Sequence, residues 1–205
     1  MTIRARHEIW IFRHGATEWS LTGQHTGRTD LPLSNIGRRQ GQALGRAMAN
    51  RRFATVLCSP LNRVVETCRL AGYGDGAQLV DDLMEWNYGV HEGLRPAEIL
   101  ENRPDWTIWN DGAPGGETVE HVAERARRAI ALADAPQRDV AVFSHGHLLR
   151  SLVASWLGLP ADAGRHFDLA TGSTSVLGYH NTERVIRTWN HTITFPPRTT
   201  IEKPI

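Results

Sequence analysis

Short apolar runs recur along this chain, and each ends abruptly in polar residues or glycine. Three of them are rich in β-branched and aromatic residues and too short for helices, which predicts buried strands at 9–12, 55–58 and 139–144. Apolar residues recur at helical spacing over 35–50, 61–70 and 119–133. Strands that alternate with helices predict an α/β fold, a three-layer α/β/α sandwich with a mainly parallel central sheet.

The segment 86–117 interrupts this alternation and predicts a small helical cap lobe. Pro96 suits the first turn of one short helix, and Pro104 is expected to begin another. Trp106 and Trp109 lie three residues apart. This spacing is more typical of helix packing than of a ligand platform, so we assign both tryptophans to the core of the lobe.

The remaining segments complete a single domain of residues 1–205. Residues 21–32 lack periodicity and predict a loop, and 173–179 and 184–190 alternate as expected for a hairpin. Residues 192–205 carry three prolines and no core pattern, which predicts a tail.

Charge and cysteine usage exclude several classes of protein. The chain has 23 basic and 22 acidic residues, so a general nucleic-acid or membrane-surface binder is not expected. No apolar stretch is long enough to span a bilayer, and the N-terminus leaves no room for a signal peptide before the first strand. Cys58 and Cys68 do not form a disulfide framework. We therefore expect a cytoplasmic protein.

Polar residues follow two of the predicted strands in similar patterns. Arg13-His14-Gly15 follows the first strand and His145-Gly146-His147 the last. A solvated loop is the simpler interpretation of an isolated Arg-His-Gly. Ligands of open α/β sheets, however, lie beyond the carboxyl ends of the strands, where two histidines can share one crevice. Arg63, in the first turn of a helix, and Glu85 are expected to join this crevice. Several cations, two imidazoles and one carboxylate favour phosphoryl transfer. Acyl transfer is less favoured, because no serine nucleophile elbow is present.

Six short motifs occur in a fixed order along residues 9–150. They are Arg13-His14-Gly15-x-Thr17-x-Trp19, Gly27-Arg28-x-Asp30-x-Pro32-Leu33, Ser59-Pro60-Leu61-x-Arg63, Glu85-x-x-Tyr88-Gly89-x-x-Glu92-Gly93, Gly116-Glu117-Thr118 and His145-Gly146. In these motifs the chain resembles the histidine phosphatase superfamily, also called the phosphoglycerate-mutase-like family. The resemblance implies hydrolysis of a small phosphate ester through a phosphohistidine, with no cofactor and no metal.

Residue chemistry and the resemblance assign the same catalytic roles. Neutral His14 attacks phosphorus, and its other ring nitrogen is expected to be held by a backbone carbonyl. Arg13, Arg63 and a cationic His145 hold the phosphate oxygens. Glu85 in its protonated form donates to the leaving alkoxide and later activates water.

Within the family, the chain is most similar to acid phosphatases of the sedoheptulose-bisphosphatase-like branch. The segments that carry this similarity are Thr22–Gly27, Glu85–Gly89 and His145–Arg150. Ser20 and His25 depart from the residues usual at their positions, an asparagine in the superfamily and an aromatic in the branch. We expect sugar phosphates or bisphosphates as substrates. The expected substrate contacts are Ser20, His25, Thr26, Tyr88, Gly146 and Arg150. Three residues are candidates for binding a second phosphate or a polyol: Arg150, Arg95 and His25.

Three alternatives stay open at the level of sequence. The first is a phosphoglycerate mutase, although the longer insertion and basic cluster of the family's mutases are missing before Gly116. The second is a metal-dependent hydrolase that uses His14, His145 and His147, for which no carboxylate ligand set is evident. The third is a catalytically inactive module that binds phospho-ligands. A homodimer is a further expectation.

Overall fold

One six-stranded sheet, in the order β3-β2-β4-β1-β5-β6, forms the centre of the protein. The computed structural model describes residues 7–193, and its strands are β1 Ile9–Arg13, β2 Thr55–Cys58, β3 Gln78–Leu79, β4 Val140–Ser144, β5 Thr174–His180 and β6 Glu183–His191. The first four strands of the sheet are parallel, whereas β5 runs antiparallel to β1 and β6. The predicted strands, the hairpin and the mainly parallel sheet are confirmed.

Helices cover both faces of this sheet. The α-helices of the described residues are α1 Glu18–Thr22, α2 Asn35–Met48, α3 Asn62–Leu70, α4 Pro96–Leu100, α5 Ile108–Asp111, α6 Val119–Asp134 and α7 Gly146–Trp156. Ile11 and Val142 pack on the side of α6 and α7, whereas Phe12 and Phe143 pack on the side of α2 and α3. Neighbouring residues of each strand thus face opposite layers, and the three-layer α/β/α sandwich is confirmed.

Local hydrogen bonds move two boundaries away from the prediction. Thr17 and Ser20 cap each other reciprocally and begin α1, so a helical turn stands where the predicted loop begins. Pro96 is the first residue of α4, as expected. The second helix of the lobe, however, begins at Ile108 and not at Pro104, because the Thr107 hydroxyl accepts the N–H of Asn110 and caps α5.

The extent of the domain and of the lobe stays a prediction. Most of the predicted tail of 192–205, namely residues 194–205, lies outside the described residues. Within residues 7–193, no helix is long and apolar enough to cross a membrane.

Candidate active site

The parallel pairing of β1 with β4 brings the two motif histidines together. Arg13 lies opposite Ser144 in the ladder, so both strands end at the same level. The N–H of His14 continues the pairing by donating to the carbonyl of Ser144 at 3.0 Å. The rings of His14 and His145 then lie edge to face with centroids 5.1 Å apart. The expectation of one crevice shared by two histidines is confirmed.

Gly15 lets the first turn of α2 approach the end of β1. A Cβ atom at Gly15 would lie 2.3 Å from the carbonyl oxygen of Gly37, and one at Gly37 would lie 2.1 Å from that of Ala16. Such contacts with backbone cannot be relieved by a side-chain rotation. The glycine after His14 therefore serves backbone packing, and it fixes the turn that carries the histidine.

His14 is oriented by its own turn. Its Nδ1 lies 2.7 Å from the carbonyl oxygen of Gly15, which makes Nδ1 the protonated nitrogen and leaves Nε2 with a free lone pair. Burial, followed by the charges of Arg63 and Arg13, lowers the pKa of His14 well below 6.5. The residue is therefore neutral near pH 7, with the unprotonated nitrogen that a nucleophile requires.

Three buried nitrogens beside His14 have no hydrogen-bond partner among residues 7–193. They are Nε of Arg13, Nε of Arg63 and Nδ1 of His145. The rest of each side chain is held in place: Arg63 donates to the carbonyls of Gly27 and Thr29 at 2.7 and 2.9 Å, and His145 Nε2 lies 2.8 Å from the Ser59 hydroxyl. Arg13 donates to the carbonyl of Leu169. Buried donors without partners are costly, and three of them near one histidine suit an oxyanion.

The charge of His145 depends on whether an anion lies beside it. Burial lowers its pKa well below 6.5, and the charges of Arg63, His14 and Arg13 act in the same direction. Without an anion the protein environment therefore favours neutral His145, and our expectation of a cation concerns the ring beside a phosphate. The sequence could not show this, because the shift depends on complete burial beside two arginines. A dianion against Nδ1 would act in the opposite direction and favour the protonated ring.

Glu85 is fixed at the N-terminus of α7. One carboxylate oxygen accepts the N–H groups of Trp86 and Leu148 at 2.9 Å each, and the other accepts that of His147 at 3.0 Å. The side chain is 4 % exposed. These three donors hold the carboxylate at one edge of the cavity, next to the helix that follows His145.

A buried ion pair supports the segment that carries Glu85. Arg125 on α6 binds Glu117 with both Nε and Nη2, at 2.7 and 2.8 Å, and donates to the carbonyls of Asp82 and Met84. Glu117 also accepts the N–H of Asn87 at 2.8 Å. Both ends of the segment are thereby fixed to α6. Glu117 belongs to a recognised motif, but Arg125 was missed, because its pattern is that of an ordinary solvated helix face.

The expected substrate contacts line one cavity of about 470 Å³. Its walls include Arg13, His14 and Glu85 and all of the expected contacts: Ser20, His25, Thr26, Tyr88, Gly146 and Arg150. Arg63 and His145 are fully buried and do not line it. Arg150 lies in the second turn of α7, where it donates to the carbonyls of Gly164 and Arg165. Arg95, suggested for a second phosphate, is exposed and is not part of the lining.

Aromatic rings form much of the outer wall. His25 stacks on Tyr88 with centroids 4.6 Å apart, and the Tyr88 hydroxyl lies 2.6 Å from Nδ1 of His147. Trp106 and Trp109 are buried in the lobe as predicted, yet they also line the cavity. Their burial agrees with the assignment to the core or the lobe, and lining the cavity is a further role that their spacing did not indicate. Gln24, Thr107 and Asp168 also line it and were not expected.

No group of three histidine, cysteine or acidic side chains within residues 7–193 has the geometry to hold a metal ion. His147, one of the three histidines of the metal alternative, uses Nδ1 for Tyr88 and contacts the aromatic wall. Burial and the charges of Arg150 and His25 lower its pKa well below 6.5. The residues of the cavity therefore suit an anionic ester better than a metal.

Comparison with known proteins decides the family. The model of the histidine phosphatase superfamily (branch 1) matches residues 9–192. The chain belongs to the histidine phosphatase superfamily. It is therefore an enzyme of the phosphoric monoester hydrolase class, and the predicted family is confirmed.

Named relatives in the histidine phosphatase superfamily include two phosphatases. The chain is 38% identical over 179 residues to an acid phosphatase of Mycobacterium tuberculosis, covering 85% of this chain and 88% of that protein. It is 37% identical over 181 residues to sedoheptulose 1,7-bisphosphatase of Saccharomyces cerevisiae, covering 73% and 67%. The solved structure of an open reading frame product of M. tuberculosis superposes with a TM-score of 0.84 at 36% identity, over 91% of this chain and 98% of that one.

The buried histidines predict a steep dependence of stability on pH. The pKa values of His14, His145 and His147 are lowered in the folded state. Below pH 6.5 the unfolded chain therefore binds more protons than the folded protein does. The free energy of unfolding is therefore highest above pH 6.5. As the pH decreases below 6.5, it falls by about 1.4 kcal/mol per pH unit for each of these histidines.

Urea unfolding between pH 5 and 7.5 measures this dependence. His147→Gln removes one buried titrating ring and should reduce the slope, and His180→Gln, at the exposed end of β5, is the matched control. Equal slopes in the two variants would contradict the effect.

Proposed function

We propose that this enzyme hydrolyses phosphate monoesters of small metabolites, sugar phosphates among them, through a phosphohistidine on His14. The observation that carries the proposal is the set of buried donors without partners beside a neutral histidine. Arg13 Nε, Arg63 Nε and His145 Nδ1 can each donate to a phosphoryl oxygen. His14 then supplies the lone pair, and the phosphorus atom of the bound ester is the electrophile.

The first step transfers the phosphoryl group to the protein. Nε2 of His14 forms a bond to phosphorus while the ester P–O bond breaks in line with it. The three donors neutralise the charge on the phosphoryl oxygens, and protonated Glu85 gives its proton to the leaving oxygen. The carbonyl of Gly15 stabilises the phosphorylated imidazole by keeping the Nδ1–H bond.

The second step returns the enzyme to its starting state. Glu85, now a carboxylate, accepts a proton from water as the water oxygen attacks phosphorus. The P–N bond breaks, inorganic phosphate leaves, and Nε2 regains its lone pair. The rigid hydrogen bonding of Glu85 to α7 supports both uses of one carboxyl group, because the group need not move between steps.

The lobe supports hydrolysis over phosphoglycerate mutase activity. A mutase must exclude water while its intermediate reorients. Between Glu92 and Gly116 the enzyme has only the short helices α4 and α5, and no run of arginines precedes Gly116. A phosphohistidine beside this cavity is therefore expected to react with water. The complete set of catalytic side chains also weighs against the inactive binding module.

Sugar phosphates as substrates are supported by one of the two named relatives, the sedoheptulose 1,7-bisphosphatase. A cytoplasmic location is part of the proposal, supported by Cys58 and Cys68, which are buried and free. The homodimer stays a prediction.

Phosphate release compared with isomerisation tests the proposal. We expect the enzyme to release inorganic phosphate from p-nitrophenyl phosphate and sugar monophosphates. We expect little conversion of 3-phosphoglycerate to 2-phosphoglycerate in the presence of 2,3-bisphosphoglycerate. Fast interconversion with little phosphate release would overturn the hydrolase assignment, and no turnover in either assay would favour the inactive module.

Glu85→Gln tests the proton donor. An amide cannot supply the proton that an alkoxide needs, whereas p-nitrophenolate leaves without one. We expect the rate constant for phosphoryl transfer, measured in single turnovers, to fall at least about tenfold further for a sugar phosphate than for p-nitrophenyl phosphate. Glu92→Gln, which changes the carboxylate that accepts the N–H groups of Gly27 and Arg28, is the control and should affect both substrates equally. An equal loss on both substrates in Glu85→Gln would contradict the role.

A further inference from the structure

The outer half of the cavity carries little positive charge. Beyond the phosphoryl donors, the titratable bases among the described lining residues are His25, His147 and Arg150. Burial, and then the charge of His91, lowers the pKa of His25 to about 4, and the pKa of His147 is also well below 6.5. Both rings are therefore neutral at physiological pH. Arg150 is the one cation of this outer wall.

Arg150 is already engaged. Its Nε and Nη2 donate to the carbonyls of Gly164 and Arg165 at 3.1 and 3.2 Å, and its guanidinium lies over the ring of Trp109 at 4.8 Å. A second phosphate would need a fork of free donors to be held as firmly as the first. Two of its five N–H groups are thereby used, so a second phosphate would meet one partly engaged guanidinium, whereas the first meets Arg13, Arg63 and His145.

A carboxylate faces the same space. Asp168 lines the cavity with an exposed side chain and takes part in no ion pair among residues 7–193. Burial lowers the pKa of Arg13 and of Arg150, and Asp168 is one of the negative groups that oppose this shift in each. An incoming second phosphate would enter the cavity that this carboxylate lines.

We infer that the substrate carries a single phosphate on an uncharged alcohol with an apolar ring face, and that Asp168 is the residue that selects against a second phosphate. The aromatic wall of His25, Tyr88, Trp106 and Trp109 offers such a face its stacking surface. Ser20, Gln24 and Thr107 supply the polar groups that hydroxyls would use. The inference rests on the proposed phosphatase function and narrows its substrates.

A matched pair of substrates tests the inference. Phosphate release is measured with fructose 6-phosphate and with fructose 1,6-bisphosphate, and kcat/KM is divided by the number of phosphates. We expect the wild type to prefer the monophosphate by about tenfold or more, since two extra negative charges near one carboxylate cost this much in a partly aqueous cleft. The ratio within each variant is the readout, so changes in overall activity cancel.

Asp168→Asn removes the charge while keeping the shape. This variant should lower the preference for the monophosphate at least about threefold at low ionic strength, and added salt should lower the wild-type preference in the same direction. Asp105→Asn removes an equal charge from an exposed position outside the cavity and should keep the wild-type ratio.

Each outcome decides a separate claim. A wild type that hydrolyses the bisphosphate as well as the monophosphate would overturn the single-phosphate inference. An unchanged ratio in Asp168→Asn would overturn the role of Asp168. If neither sugar nor p-nitrophenyl phosphate is hydrolysed, the phosphatase function itself fails, which is a different result.

Discussion

The parallel ladder between β1 and β4 is the constraint on which the site depends. Because these strands end at the same level, the residues that follow them, His14 and His145, must meet. The close packing of Gly15 on Gly37 then fixes the backbone of the turn after β1. A shift of one residue in this ladder would move His14 away from its partner and from the donors around it.

The backbone, more than other side chains, holds the reactive groups in place. Arg63 and Arg13 donate to loop carbonyls, Glu85 accepts N–H groups at the start of α7, and Nδ1 of His14 faces the carbonyl of Gly15. This arrangement leaves one donor of each cationic group without a partner and keeps two imidazoles neutral. A site of this kind is arranged for a dianion before the dianion arrives.

The sequence predicted the parts of this arrangement that are local. Apolar runs followed by Arg-His-Gly and His-Gly-His located both catalytic strand ends, and the helical spacing over 35–50 and 119–133 located two long helices correctly. What escaped prediction depends on contacts between distant segments. Arg125 holds carbonyls about forty residues away, Asp168 joins the cavity only through folding, and the charge of His145 follows from its burial. None of these has a periodic or motif signal.

The most direct test of the central claim is to trap the phosphorylated protein. The enzyme is mixed with ³²P-labelled substrate, quenched rapidly into alkaline detergent, in which phosphohistidine survives, and digested for peptide mapping. The account predicts label on the peptide that contains His14, and loss of both label and turnover in His14→Ala. Label on another residue, or substantial activity remaining in His14→Ala, would contradict it.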